Sequence, residues 1–271
     1  MYRVFTKKKV KKFTKKSLGQ NFLIDNNIKK KIIKLVNFKN RNVIEIGPGN
    51  GALTKEILEQ KPKSLILIEK DDYLSQELKE IYKGNKIVKN FTDDILNFDL
   101  EKLDINNSII IGNLPYNISS QILVKFIRGR KWPPNYTDII FMFQKELGEK
   151  ILSKFPSKNY GRMSILSNYR LSMVNKFDVS PNCFSPKPKV CSVVIHFKPK
   201  KNNKIIIKDI KNLEKVTNIL FSNKRKMIKK NIYKILDKDK IKKIDNLDLK
   251  LRPANIKPEV YYRVTELIEF N

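Results

Sequence analysis

The chain has 271 residues, 41% of them hydrophobic, enough for one large domain with a real core and a smaller second one. Its 57 Lys and Arg against 27 Asp and Glu leave a net charge of +30, which suits a polyanion such as nucleic acid or an anionic membrane surface. The joint richness in Lys, Asn and Ile, as A/T-rich codons produce, accounts for the same charge without a partner. Two cysteines, Cys183 and Cys191, and a single His196 exclude a disulfide framework and a four-ligand zinc site, so a reduced, metal-free protein is expected.

No apolar run approaches the ~18 residues of a membrane span. The first 16 residues carry eight basic side chains and no signal-peptide core. A cytoplasmic location is expected ahead of organellar targeting, because this start is rich in Lys rather than Arg and poor in Ser. Whether it contacts RNA or acts as a targeting segment stays open.

Residues 42–46 (NVIEI) form a short apolar run ending in Gly47, Pro48, Gly49, Asn50 and Gly51, after which Ala52, Leu53, Glu56 and Ile57 take helical spacing. A second apolar run, Leu65 to Ile68, stops at Glu69. A polar helix from about Asp71 to Tyr82 and a weaker strand near Lys86 to Lys89 follow. The alternation resumes with a strand at Ser108 to Ile111, a helical face of Ile118, Ile122, Leu123, Phe126 and Ile127, and a strand from Asp138 to Phe143. Such βα units predict an α/β fold: a Rossmann-like, doubly wound parallel sheet. Cys191 to Phe197 reads as one more strand, and the charged linker from Lys198 to Asn203 sets the expected boundary, with domains 1–200 and 201–271. Ile210, Leu213, Val216 and Leu220 mark a helix in the second domain. Pro258 suits the first turn of a last helix carrying Val260, Tyr261, Val264, Leu267 and Ile268, so this domain is small and helical.

A glycine turn leaving a parallel strand lets backbone approach a ligand at the sheet's carboxyl edge, where Gly47, Gly49 and Gly51 stand. Glu69, at the end of the next strand, is placed to accept hydrogen bonds from both hydroxyls of a cofactor ribose. Nicotinamide-dependent oxidoreductases and methyltransferases share both features, so the choice falls to the turn Asn113-Leu114-Pro115-Tyr116. Its acceptors, the Asn113 side-chain oxygen and the Leu114 carbonyl, suit the hydrogens of an adenine amine, whose lone pair is otherwise delocalised into the ring. Pro115 makes the turn rigid, and Tyr116 is placed to stack on the base, with Phe184 a candidate for its other face or an ordinary core aromatic. Methyl transfer from a sulfonium is an in-line displacement with a good leaving group, so positioning does most of the work and no catalytic His is needed. Lys224, Arg225, Lys226, Lys229 and Lys230 lie beyond the helix ending near Phe221, either as phosphate contacts or as a solvated basic face.

The segments KKSLGQNFLID (15–25), EIGPGNGALT (45–54), LIEKD (67–71), DDIL (93–96), GNLPYNIS (112–119), FMFQKE (141–146), YGRMS (160–164) and FSPKPKV (184–190) span nearly the whole chain. Together they resemble the KsgA-type ribosomal RNA adenine dimethyltransferases. The resemblance implies a class I methyltransferase fold. It implies an S-adenosylmethionine pocket lined by Asn21, Leu23, Gly47, Glu69, Asp94 and Asn113, with Asp94 at the cofactor's adenine amine. It further implies a monomer that dimethylates two adjacent adenosines near the 3′ end of small-subunit (16S) RNA, within an assembling ribosomal subunit. Cys191 and the Lys224-Arg225-Lys226 run depart from the family's pattern at positions relevant to RNA docking. A large-subunit adenine methyltransferase of the antibiotic-resistance type is the nearest rival, although Leu114, where that relative often has isoleucine, leans away from it. An inactive RNA-binding assembly or transcription factor on the same fold is a third reading.

Overall fold

The structure, a computed structural model, describes residues 20–100, 103, 106–245 and 247–270. The basic start of the chain lies outside the described residues. In chain order the elements are β1 (Phe22–Leu23), α1 (Asn26–Ile33), β2 (Asn42–Ile46), α2 (Ala52–Glu59), β3 (Ser64–Glu69), α3 (Asp72–Ile81) and β4 (Val88–Thr92). They continue with β5 (Ser108–Asn113), α4 (Ser119–Ile127), β6 (Tyr136–Gln144), α5 (Lys145–Leu152), α6 (Arg162–Arg170), β7 (Leu171–Val179), β8 (Phe184–Ser185) and β9 (Ser192–Pro199). Helices α7 (Ile210–Phe221), α8 (Lys229–Ile232), α9 (Lys238–Lys242) and α10 (Pro258–Glu269) complete the chain.

Continuous apolar runs become β2, β3, β5 and β6 because both faces of these strands are covered. Val43 lies in register with Leu65 on one side and Ile109 on the other, and all three are fully buried. The seven-stranded order is β4-β3-β2-β5-β6-β9-β7, with β9 antiparallel to β6. Strand order reverses between β2 and β5, and that reversal opens a crevice at the strands' carboxyl ends. Strand β4 begins later than the expected start near Lys86, because a turn at Asn85 takes the Ile87 and Val88 N–H groups. Asp71 N-caps α3 by accepting from Tyr73 and Leu74 N–H, which fixes where the helix leaves the end of β3.

At the base of the sheet, His196 Nε2 meets Asp138 Oδ1 at 2.8 Å, and Thr137 and Arg41 bond the other carboxylate oxygen. Burial opposes ionisation of Asp138, but the hydrogen bonds from His196 and Thr137 outweigh it and hold the carboxyl at about 2. His196 is thus a buried strand side chain with a carboxylate partner.

Two compact units form. Among the described residues, those from 20 to 125, Pro134–Gly148 and Met173–Pro199 make the first, and Phe126–Pro133, Glu149–Ser172 and those from 200 to 270 make the second. The second unit is therefore assembled from three stretches of chain, not from the single cut at residue 200 that the linker suggests. Within it α7 buries Ile210, Leu213, Val216 and Leu220, and Phe221 stacks on Tyr261 of α10 at 5.6 Å. Arg170, 4% exposed, gathers the 126–133 stretch by donating to the Ile127 and Gly129 carbonyls while its guanidinium lies 4.4 Å from the Trp132 ring centroid.

Candidate active site

The crevice between β2 and β5 is a pocket in the first unit. Its lining comes from Gln20 to Leu23, the 45–50 turn, Glu69, Asp93 to Ile95 and the 113–118 turn. Sequence-expected Asn21, Leu23, Gly47, Gly49, Glu69, Asp94, Asn113, Leu114, Pro115 and Tyr116 all face it.

Gly49 has φ +57°, and a Cβ there would stand 2.9 Å from the edge of the Phe22 ring, so a side chain is strained on both counts. Its N–H donates to Glu69 Oε2 at 2.9 Å, and the Asp71 N–H donates to Oε1, also at 2.9 Å. Each oxygen of Glu69 therefore accepts a backbone N–H, and the carboxylate, with about four acceptor sites, has capacity left for a ligand. Burial raises the Glu69 pKa against the lowering effect of backbone hydrogen bonds from Asp71, Gly49 and Lys70.

Glu45, in the apolar run of β2, is a second carboxyl in this wall and is missing from the sequence-derived site. It is 2% exposed and accepts from the Thr54 hydroxyl at 2.6 Å. Burial pushes it up to about 8, with the nearby Glu69 charge adding to the rise. A lone carboxylate inside NVIEI was the available signal, because a charge in a buried strand needs a reason. Lys70 was missed too. It donates to Asp94 Oδ2 at 2.7 Å while the Leu96 N–H donates to Oδ1 at 2.9 Å. Burial works against ionisation of Asp94, yet Lys70 and Leu96 lower its pKa overall.

The Asn113 side-chain amide donates from Nδ2 to the Asn21 carbonyl at 2.8 Å. This clamp assigns the amide's orientation and leaves Oδ1 as the acceptor end. Gly112 is what lets the turn leave the sheet here, since a Cβ would stand 2.6 Å from the Ile46 carbonyl oxygen and 2.8 Å from Leu114. Tyr116 lines the pocket with its hydroxyl 2.6 Å from Ser192 Oγ, and burial raises its pKa.

Phe184 does not join this rim. It is 3% exposed, paired with Leu23 across the β1–β8 ladder and packed in the core cluster with Ile32, Val179 and Val194, so its ring is a core aromatic and not a stacking face. Cys183 is half-buried and Cys191 exposed. In the second unit, Lys224, Arg225, Lys226, Lys229 and Lys230 are all exposed, on the turn after α7 and the start of α8.

The profile of the ribosomal RNA adenine dimethylase family matches residues 11–269. The chain belongs to that family. The dimethylase is 44% identical over 256 residues to the ribosomal RNA small subunit methyltransferase A of Pelagibacter ubique, covering 94% of this chain and 97% of that one. To the protein of the same name from Malacoplasma penetrans it is 40% identical over 265 residues, covering 95% and 93%. Its fold matches a dimethyladenosine transferase from Plasmodium falciparum with a TM-score of 0.75 at 24% identity, over 90% of this chain and 95% of that one. It also matches the 23S rRNA methyltransferase ErmE with a TM-score of 0.67 at 20% identity, over 92% and 100%. Family membership removes the nicotinamide-oxidoreductase reading, and the class I methyltransferase fold agrees with the expected doubly wound sheet.

Proposed function

We propose that this dimethylase transfers methyl groups from S-adenosylmethionine to the exocyclic amines of two adjacent adenosines near the 3′ end of small-subunit ribosomal RNA, two on each, in an assembling subunit. The observation that carries this is a single pocket in which the glycine turn, Glu69 and Asp94 face the Asn113-Leu114-Pro115-Tyr116 turn. Relatives named for the small subunit, at 40% identity and above over nearly the full chain, support that substrate over the large subunit. No helix among the described residues is long and apolar enough to cross a membrane. We place the enzyme in the cytoplasm, acting as a monomer.

The donor set fits the cofactor. Glu69 has acceptor capacity left for ribose hydroxyls, and Asp94 is an ionised acceptor for an adenine amine once Lys70 gives way. Gly47 and Gly49 carry no side chains to obstruct close approach. Bound there, the cofactor supplies an electrophilic methyl group on a sulfonium.

Asn113, with Nδ2 held by Asn21, presents Oδ1 to one hydrogen of the substrate amine, and the Leu114 carbonyl takes the other. This geometry favours a pyramidal nitrogen and accepts the positive charge that grows on it during attack. Tyr116 stacks on the base, and Pro115 keeps the turn from relaxing. Lys224, Arg225, Lys226, Lys229 and Lys230 contact phosphates and fix register.

The test incubates the protein and labelled S-adenosylmethionine with undermethylated small subunits, with large subunits as control. Modified nucleosides are then resolved by mass spectrometry. Dimethyladenosine in small-subunit RNA alone is expected. Label confined to large-subunit RNA would mark the resistance-type activity, and cofactor binding without label would mark an inactive factor. In calorimetry, Glu69→Ala raises the cofactor Kd by at least tenfold, from the loss of charged hydrogen bonds worth ~1.5–3 kcal/mol each.

A further inference from the structure

We infer that Ser192 is a positioning residue that fixes the Tyr116 ring for the substrate base, an assignment that rests on the function proposed above. Ser192 is fully buried at the start of β9, inside the otherwise apolar run Ser192-Val193-Val194-Ile195. A strand ladder needs no hydroxyl there, and a buried polar side chain calls for a partner. The partner is Tyr116, whose hydroxyl lies 2.6 Å from Ser192 Oγ.

Ser192 is itself held firmly. It lies opposite Gln144 in the β6–β9 ladder, and the adjacent Cys191 carbonyl accepts from the Lys145 N–H at 2.9 Å. Tyr116 is held at both ends: its carbonyl accepts from the Ser119 hydroxyl at 3.2 Å, and its phenol is tied to Ser192. The phenol oxygen lies on the axis of the second side-chain torsion, so a tie at the far end of the ring fixes the first torsion and with it the place of the ring beside the pocket. The ring then keeps its place at the pocket wall, at a lower ordering cost when a base arrives. Without the tie, the ring pivots about a backbone turn that remains intact, so the defect falls on base stacking and not on the cofactor.

The experiment compares wild type, Ser192→Ala, Ser192→Thr, Tyr116→Phe and the Ser192→Ala/Tyr116→Phe pair on undermethylated small subunits. It reads kcat/KM for the subunits, the cofactor Kd and the ratio of monomethyl- to dimethyladenosine. Ser192→Ala is expected to lower kcat/KM roughly five- to tenfold and to raise the monomethyl share, with cofactor Kd unchanged. Ser192→Thr, which keeps the hydroxyl, restores both readings, and the double variant is no worse than Ser192→Ala alone. Additive losses in the double variant, a wild-type-like Ser192→Ala, or losses that track cofactor binding or melting temperature would overturn the assignment while leaving the function intact. A wild-type enzyme that binds cofactor and methylates no subunit would overturn both.

Discussion

Glu45 and Glu69 face one pocket, and each is buried, yet their partners differ. Glu69 is met by two backbone N–H groups, whereas Glu45 has the Thr54 hydroxyl. The value of about 8 for Glu45 stands above the 4.5 of an exposed glutamate, so the unfolded chain gives up this proton first. Stability contributed at this site is therefore greatest below about pH 4.5, falls as pH rises and levels off above about 8. Glu45→Gln removes that slope. Urea titrations should show no difference from wild type near pH 4.5 and a gain of roughly 3 kcal/mol at pH 7; a gain independent of pH would reject the assignment. In the proposed mechanism Asn113→Ala removes the acceptor for the substrate amine, and it also removes the hydrogen bond to the Asn21 carbonyl. Single-turnover kinetics should show the methyl-transfer rate down by about 10²–10³, with the cofactor Kd raised only a few-fold. Such residues were legible in sequence when they sat in a turn with other unusual residues, as Asn113 does. Lys70 and Ser192 were not, because a surface lysine and a strand serine acquire meaning only from Asp94 and Tyr116 across the fold.

Turns at the carboxyl ends of strands do most of the work at the scale of elements. Gly112 is the tightest, with the Ile46 backbone where its side chain would go. Gly112→Ala must open the β2–β5 pair and should destabilise the protein by about 2–4 kcal/mol. Gly129→Ala, whose Cβ would meet nothing closer than 3.5 Å, serves as the neutral control in the same thermal melts. Equal effects at the two sites would refute the steric account. Apolar periodicity announced β2, β3, β5 and β6 but was silent on β7, because an edge strand exposed along most of its length has no buried face to leave a pattern. Helix α1 was hidden similarly: it is Lys-rich and buries only Ile32 and Ile33.

For the whole molecule, the charge of +30 is open to test through its placement. Five exposed basic residues between Lys224 and Lys230 cluster on one turn and the helix that follows it. Replacing all five with Ala should reduce the salt dependence of subunit binding, by about 0.7 in log–log slope for each phosphate that is no longer neutralised, and leave the cofactor Kd unchanged. An unaltered slope would make this a solvated surface only.

By itself the sequence determined the βα alternation, the glycine turn with its distant carboxylate, and the Asn-Leu-Pro-Tyr turn, because each is written in contiguous residues with a local physical cause. Only the tertiary structure decided the strand order, the three-stretch make-up of the second unit and the burial of Phe184. It alone set the Asn113–Asn21 and Tyr116–Ser192 hydrogen bonds, which join residues 92 and 76 positions apart. Those features depend on which segments meet once the core closes, and no local propensity encodes a meeting between distant parts of a chain.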